Sequence, residues 1–151
     1  MKRNQNTPEI ATRAASDADS AFAYDVKKQA LGPYITQVWG WDEELQQAFH
    51  RREFDSTRLQ IITRDGHDIG TIEILTNSER ILINMFYILP EFQNQGIGSK
   101  LVRDILDTAQ RQSLRVRLAV LKINPARRFY ERHGFRKVEE TDTHWKMEWS
   151  S

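Results

Sequence analysis

The stretch Phe92-Gln93-Asn94-Gln95-Gly96-Ile97-Gly98-Ser99-Lys100 joins two patterns of different period, and it constrains the fold more than any other part of the chain. Before it, an apolar run at 81–89 reads as a strand that stops at Pro90. After it, Ile97, Leu101, Ile105 and Leu106 recur at helical spacing. A strand, a polar glycine turn and a helix in succession form an anion site. The first helical turn leaves its N–H groups unpaired, and the helix dipole adds partial positive charge there. Gly96 and Gly98 carry no Cβ, so the backbone can approach a bulky phosphate. The pattern points to a phosphate, and to a diphosphate in particular. The P-loop does not fit, because Gly98 is followed by Ser99-Lys100 and Gly96 has no Gly five positions upstream. Nor does the three-glycine dinucleotide fingerprint, which Ser99 and Lys100 leave incomplete.

The flanking segments decide what layers surround this loop. A polar stretch at 1–8 reads as a frayed tail, and 9–151 as one domain. A short strand at 10–14 is followed by Ser16-x-x-Asp19, a capping-box pattern with Asp in the Glu position. A helix with Ala18, Phe22, Val26 and Ala30 on one stripe then runs to Leu31, where Gly32-Pro33 is expected to stop it. Asp42 caps a second helix through Phe54, with Leu45, Phe49 and Phe54 facing inward. Strands at 58–64, 69–75 and 80–89 follow, the first two joined by the tight-turn pair Asp65-Gly66. A helix to about Gln112, a buried strand at 116–121, a helix opened by Asn124-Pro125, and a closing hairpin at 135–141 and 144–149 complete the chain. Antiparallel hairpins followed by a strand–helix–strand unit imply an α/β or α+β sandwich with helices on both faces of one sheet.

Composition removes several functions. There is no cysteine, which excludes disulfides, thiolate catalysis and cysteine–zinc sites. The four histidines, His50, His67, His133 and His144, show no tight ligand spacing, so no metal is expected. A net charge of +1 supplies no broad attraction for nucleic acid or membrane. No apolar run approaches spanning length and the N-terminus lacks a signal-peptide core, so the expected compartment is the cytoplasm.

Two motifs carry a resemblance. The segment Tyr87-Ile88-Leu89-Pro90-Glu91-Phe92 followed by Gln93-x-x-Gly96-x-Gly98 resembles motif A of the GNAT superfamily, the acyl-coenzyme A-dependent N-acyltransferases. Downstream, Asn124-Pro125-Ala126-Arg127-Arg128-Phe129-Tyr130-Glu131-Arg132-His133-Gly134-Phe135 resembles that family's motif B. The match covers about the second half of the chain. It implies a central, mostly antiparallel sheet of six to seven strands flanked by about four helices. It implies acetyl-coenzyme A as co-substrate and no metal. The diphosphate would lie on the backbone of Gln95, Gly96, Ile97, Gly98 and Ser99, with Gln93 bracing the loop and Asn94 and Lys100 beside it. A free strand edge at Phe86, Tyr87 and Ile88 would pair with the pantetheine arm, and an N–H near Ile88 would polarise the thioester carbonyl. Asn124 would reach the pantetheine or the reacting centre, and Tyr130 would protonate the departing thiolate. Arg127 and Arg128, basic residues opening the last helix, are placed to meet the cofactor's 3′-phosphate or to be solvated. Packing beside Phe129 and Phe135 is the structural alternative for Tyr130.

An amine acceptor must also lose a proton, and three residues compete for that task. Glu73 faces opposite to Ile72 and Ile74 on its strand. Asn84 would orient a water, and His144 titrates in a suitable range. Tyr34, Trp39, Trp41, Asp42 and Glu43 form an aromatic and acidic cluster suited to a cationic amine, and His144 is a further candidate contact for the acceptor. The reading is therefore an N-acetyltransferase acting on a primary amine of a small molecule by direct transfer in a ternary complex. The alternatives are a non-catalytic acyl-coenzyme A sensor and a protein N-terminal or lysine acetyltransferase. No nucleic-acid or membrane partner is expected, and a homodimer is allowed.

Overall fold

A computed structural model describes residues 7–151; the first six residues of the expected tail lie outside the described residues. Seven strands form one sheet: β1 (Ile10–Ala14), β2 (Leu59–Arg64), β3 (His67–Thr76), β4 (Arg80–Ile88), β5 (Arg115–Leu121), β6 (Arg136–Glu140) and β7 (His144–Trp149). Their spatial order is β1-β2-β3-β4-β5-β7-β6. All neighbours are antiparallel except β4 and β5, which are joined through α3 (Ile97–Gln112) and run parallel. The fold is the mixed α/β sandwich expected.

Two hydrophobic layers sandwich the sheet. On one face Ile97, Leu101, Val102, Ile105 and Ala109 of α3, with Tyr130 of α4 (Ala126–Arg132), pack on Ile72, Ile83, Val116, Leu118 and Met147. On the other, Ala23 of α1 (Ser20–Trp39) packs with Leu59 and Ile61, joined by Phe54, which follows α2 (Glu43–Glu53), and by Met85. The apolar stripe read in α3 is the stripe that is buried, because a 3.6-residue period leaves only one face for the sheet.

Helix α1 departs from expectation. It passes through Gly32-Pro33 and ends at Gly40, whose φ is +78°. An interior Pro removes one helical hydrogen bond and costs about 3 kcal/mol in isolation. Packing overrides it, because Ala23 and Val26 before the Gly-Pro pair, Gly32 within it and Ile35 after it are all buried, so the helix is held on both sides of Pro33. Gly32 is also where Trp41 seats: a Cβ there would stand 3.4 Å from the indole. In α2, Asp42 accepts from the Leu45 N–H at 3.1 Å as the expected cap. Leu45 itself points outward, 47% exposed, and Gln46 is the residue buried from that helix. Asp65 and Gly66, both at positive φ, make the tight β2–β3 turn.

Two irregularities in β4 create the functional geometry. The β3–β4 register pairs Glu73 with Met85 but Ile74 with Ile83, so Asn84 is an unpaired bulge residue. The extra residue inverts the alternation. Ile81 and Ile83 face α3, and beyond the bulge Phe86 and Ile88 face it, while Met85 turns to the α1 side. On its other edge β4 pairs with β5 only through Arg80, Ile81 and Leu82. From Ile83 onward the two strands diverge, leaving a wedge through the sheet.

A buried ion pair ties β5 to β7. Arg117 Nε donates to Glu148 at 2.7 Å, and the Glu148 side chain is 7% exposed. That hydrogen bond, ahead of any other influence, holds the Glu148 carboxyl below its usual 4.5. Its contribution is therefore present above about pH 4.5 and lost as pH falls through the lower native value. Glu148→Gln is expected to cost about 1.5–3 kcal/mol near neutral pH, the range for a charge-assisted bond. Melting curves of both proteins would converge on acidification. A gap independent of pH would show that the pair is not the linked group.

Candidate active site

The wedge between β4 and β5 opens into a cleft of about 830 Å³. From the α3/α4 side it is lined by Phe86, Ile88, the glycine loop, Asn124 and Tyr130. From the α1 side it is lined by Ala30, Leu31, Tyr34, Met85 and His144. The alternation of β5 and β7 supports that division: Val120 and Met147 join the α3-side core, so Ala119 and His144 face the other way. One channel thus crosses the sheet, and its β4 wall carries backbone groups with no strand partner toward β5.

The glycine loop is built for an anion. Gly96 is the N-cap of α3 at φ +81°, and no atom lies within 4 Å of where its Cβ would stand. The first bond of the helix runs from Lys100 N–H to the Gly96 carbonyl at 3.1 Å, so the preceding N–H groups point beyond the helix end. Gly98 abuts the ring of Phe129, with 3.3 Å from its ideal Cβ to Phe129 Cζ. Gln93 Nε2 donates to the Ile88 carbonyl at 2.8 Å, and Gln95 Nε2 to the Glu91 carbonyl at 3.1 Å. Asn94 holds a left-handed conformation at φ +62°. Ser99 meets His133 Nε2 at 3.1 Å, a pair that sequence reading missed. This cradle fits a diphosphate on backbone N–H groups, as the helix terminus requires.

The remaining site residues fall into two groups. Asn124 lines the cleft while its Oδ1 accepts from the Ala126 N–H at 2.9 Å, which leaves its amide donors for a ligand. Tyr130 lines the cleft at 8% exposure, its ring edge-on to Phe129 and Phe135, and burial pushes its phenol well above the usual 10. Burial, with Glu53 and Glu73 as lesser influences, pushes Tyr87 up to about 12. Ile97 is core, 4% exposed, and can offer only its backbone. Lys100 turns outward to Asp104 at 2.9 Å. Arg127 stacks on Trp145 at 4.6 Å, outside the cleft, whereas Arg128 lines the cleft together with Arg132, which the sequence reading did not single out. Those two are four residues apart and share one helical face, a spacing visible in the sequence.

The acceptor cluster is divided by the fold. Tyr34 and His144 line the cleft. Trp39, 58% exposed, stands outside it with its ring 6.3 Å from that of His144. Trp41, Asp42 and Glu43 belong to the α1–α2 junction. Glu43 accepts from Trp41 Nε1 at 2.6 Å, Lys28 at 3.0 Å and Tyr24 at 2.8 Å, and these donors, Trp41 first, hold it down to about 2. Glu73 is 1% exposed and lines a separate small cavity with His50, Glu53, Phe54 and Leu59, behind Met85 and Tyr87. Asn84, in the cleft wall, donates its Nδ2 to Glu73, and Arg58 lies 3.7 Å from the same carboxylate. Glu73 is thus engaged by Asn84 and Arg58.

The sequence from 55 to 137, more than half of the chain, matches the model of the acetyltransferase (GNAT) domain. The chain belongs to the GNAT acetyltransferase family. No curated protein matches the sequence. Among solved structures, the fold is similar to the PaiA N-acetyltransferase of Thermoplasma acidophilum in complex with coenzyme A, at 18% identity and a TM-score of 0.76, covering 95% of this chain and 99% of that one. It is similar to Arabidopsis thaliana Naa50 in complex with a bisubstrate analogue, at 16% identity and 0.64, covering 94% and 99%. It also matches N-acetylglutamate synthase of Neisseria gonorrhoeae, complexed with coenzyme A and N-acetyl-glutamate, at 15% identity and 0.64, covering 96% of this chain and 36% of that one. No helix among the described residues is long and apolar enough to cross a membrane.

Proposed function

We propose that this GNAT protein transfers the acetyl group of acetyl-coenzyme A to the primary amine of a small molecule, by direct attack in a ternary complex. The observation that carries the reading is the wedge. One cleft combines an anion-binding loop, an unpaired strand edge at 83–88 and a buried tyrosine, and it opens on both faces of the sheet. The coenzyme A complexes of proteins with this fold support its use as the co-substrate site.

Each residue then has a task. The backbone of 95–99 holds the diphosphate and Arg128 and Arg132 add positive charge for the phosphates. The strand edge at Phe86, Tyr87 and Ile88 pairs with the pantetheine amides, and a backbone N–H there stabilises charge on the thioester oxygen. Tyr130 supplies a proton to the sulfur as the C–S bond breaks. The acceptor enters on the side made by Ala30, Leu31, Tyr34 and His144. Purified protein with acetyl-coenzyme A and a panel of small amines and short peptides, read by thiol release, tests the reading. Turnover with small amines is expected. Acetylation of peptides alone would overturn the acceptor class, and tight cofactor binding without turnover on any amine would favour the sensor.

A further inference from the structure

We propose that His144 is the general base that discharges the acceptor ammonium, held by Thr143 in the tautomer that leaves Nε2 bare toward the cleft. The inference rests on the acetyltransferase reading above and assigns the proton acceptor that reading leaves open.

The argument begins with what lines the cleft. Its titratable side chains are Tyr34, Tyr87, Tyr130, His144, Arg128 and Arg132, and no carboxylate is among them. Arginine cannot take a proton, and phenols hold theirs near neutral pH. Imidazole is the one group type present whose neutral form accepts a proton there. Glu73 is sealed behind Met85 and Tyr87 and is already engaged by Asn84 and Arg58. Asn84 spends one Nδ2–H on that carboxylate, and neither its second N–H nor its Oδ1 can take a proton from an ammonium at neutral pH.

The position of His144 matches the approach of an acceptor. It opens β7 opposite Leu121 and belongs to the α1 face, whereas the glycine loop and Tyr130 belong to the α3/α4 face. An amine arriving from the α1 side meets the thioester across the wedge, with base and acid on opposite sides of the reacting carbon. Nδ1 lies 2.8 Å from Thr143 Oγ1. Donation from Nδ1–H to that oxygen leaves the Nε2 lone pair free. The backbone is clamped as well: His144 N–H donates to Thr141 Oγ1 at 3.0 Å, and Thr141 N–H to the His144 carbonyl at 2.8 Å. Its surroundings are uncharged where they meet it: Trp39 from α1, Leu121 from β5, and Thr141 and Thr143 from the turn. The charged neighbours Lys122 and Glu140 pair with each other at 3.0 Å, and Asp142 is exposed. Burial alone lowers the His144 value from 6.5, which keeps the ring neutral at physiological pH.

The protons balance. The ammonium gives one proton to Nε2, and His144 releases it to solvent each turnover. The nitrogen lone pair forms the C–N bond and the C–S bond breaks. Tyr130 protonates the sulfur, and the second proton lost from nitrogen restores Tyr130. The products are the amide, the free thiol and one proton in solution.

The test is the pH dependence of kcat/KM for wild type and His144→Gln with one alkyl amine, together with an NMR titration of the ring nitrogens in wild type. Wild type should show an acid limb ending below about pH 6.5, where His144 loses its proton. His144→Gln should lack that limb and turn over about 10²- to 10⁴-fold more slowly at neutral pH. It should recover toward wild type near pH 10, where the amine is free. Thr143→Val, which leaves the imidazole in place, should lower kcat less than His144→Gln and keep the acid limb. An unchanged profile in a folded His144→Gln protein would overturn the proposal, as would loss of the limb in Glu73→Gln. The tautomer is independent of turnover: a protonated Nε2 in the neutral ring overturns the assignment. A wild-type protein that acetylates no amine would instead overturn the acetyltransferase reading.

Discussion

Replacing Tyr130 by Phe is expected to lower kcat by about 10²- to 10⁴-fold, the range for loss of a positioned general acid, while acetyl-coenzyme A affinity stays within a few-fold of wild type. The substitution removes one oxygen and keeps the ring that packs edge-on to Phe129 and Phe135, so the α4 core is preserved. The cost falls on the leaving group. A thiolate expelled beside the apolar side chains of Phe86, Ile88 and Phe129 gains no stabilisation from them, and on the proposed reading the phenol is its proton donor. Burial raises the phenol's hold on its proton, so the acid form persists across the working range and no alkaline limb should arise from Tyr130. Steady-state kinetics with a cofactor titration would decide the point. Wild-type turnover in the Phe variant would reduce Tyr130 to a packing residue.

The second large effect is expected at Gly96. Gly96→Val should weaken acetyl-coenzyme A binding about ten- to a hundredfold, since displacing one charge-assisted contact costs about 1.5–3 kcal/mol. Its Cβ would meet no protein atom within 4 Å, so any clash is with the ligand. The backbone is at φ +81°, so a side chain there also costs about 1–2 kcal/mol of fold stability. Gly66 provides the control. It has φ +83°, equally open surroundings, and a place in the β2–β3 turn away from the cleft. Gly66→Val should carry the same strain and leave affinity unchanged by calorimetric titration. Equal affinity in the two folded variants would remove the diphosphate from this loop.

Much of the fold was legible because local signals agreed with tertiary packing. The stripe of α3, the Asp42 cap and the Asp65-Gly66 turn are short-range features whose physics is complete within a few residues. The failures came where a neighbour outvoted the local rule. Gly32-Pro33 reads as a stop, yet burial of Val26 before it and Ile35 after it carries α1 through. Leu45 looks inward by composition, yet the cap orientation of α2 turns Gln46 to the interior. The aromatic and acidic run from Trp39 to Glu43 reads as one site. Hydrogen bonds to Glu43 from Tyr24 and Lys28 of α1 and from Trp41 gather Trp41 and Glu43 into the α1–α2 junction and leave Trp39 at the rim.

The sequence by itself determined the layer order, the glycine loop at a strand-to-helix turn, and the residues on either side of it, because periodicity and backbone freedom are properties of adjacent residues. Tertiary structure alone decided which of those residues meet. The bulge at Asn84 shifts the alternation of β4 by one, turning Phe86 and Ile88 to the α3 side and Met85 to the α1 side. The parting of β4 from β5 after Leu82 opens a path through the sheet. Glu73 and His144 look equivalent in sequence, each a titratable residue in a strand. Only the fold seals the first at 1% exposure and aligns the second with the cleft, since burial is set by elements distant in the chain.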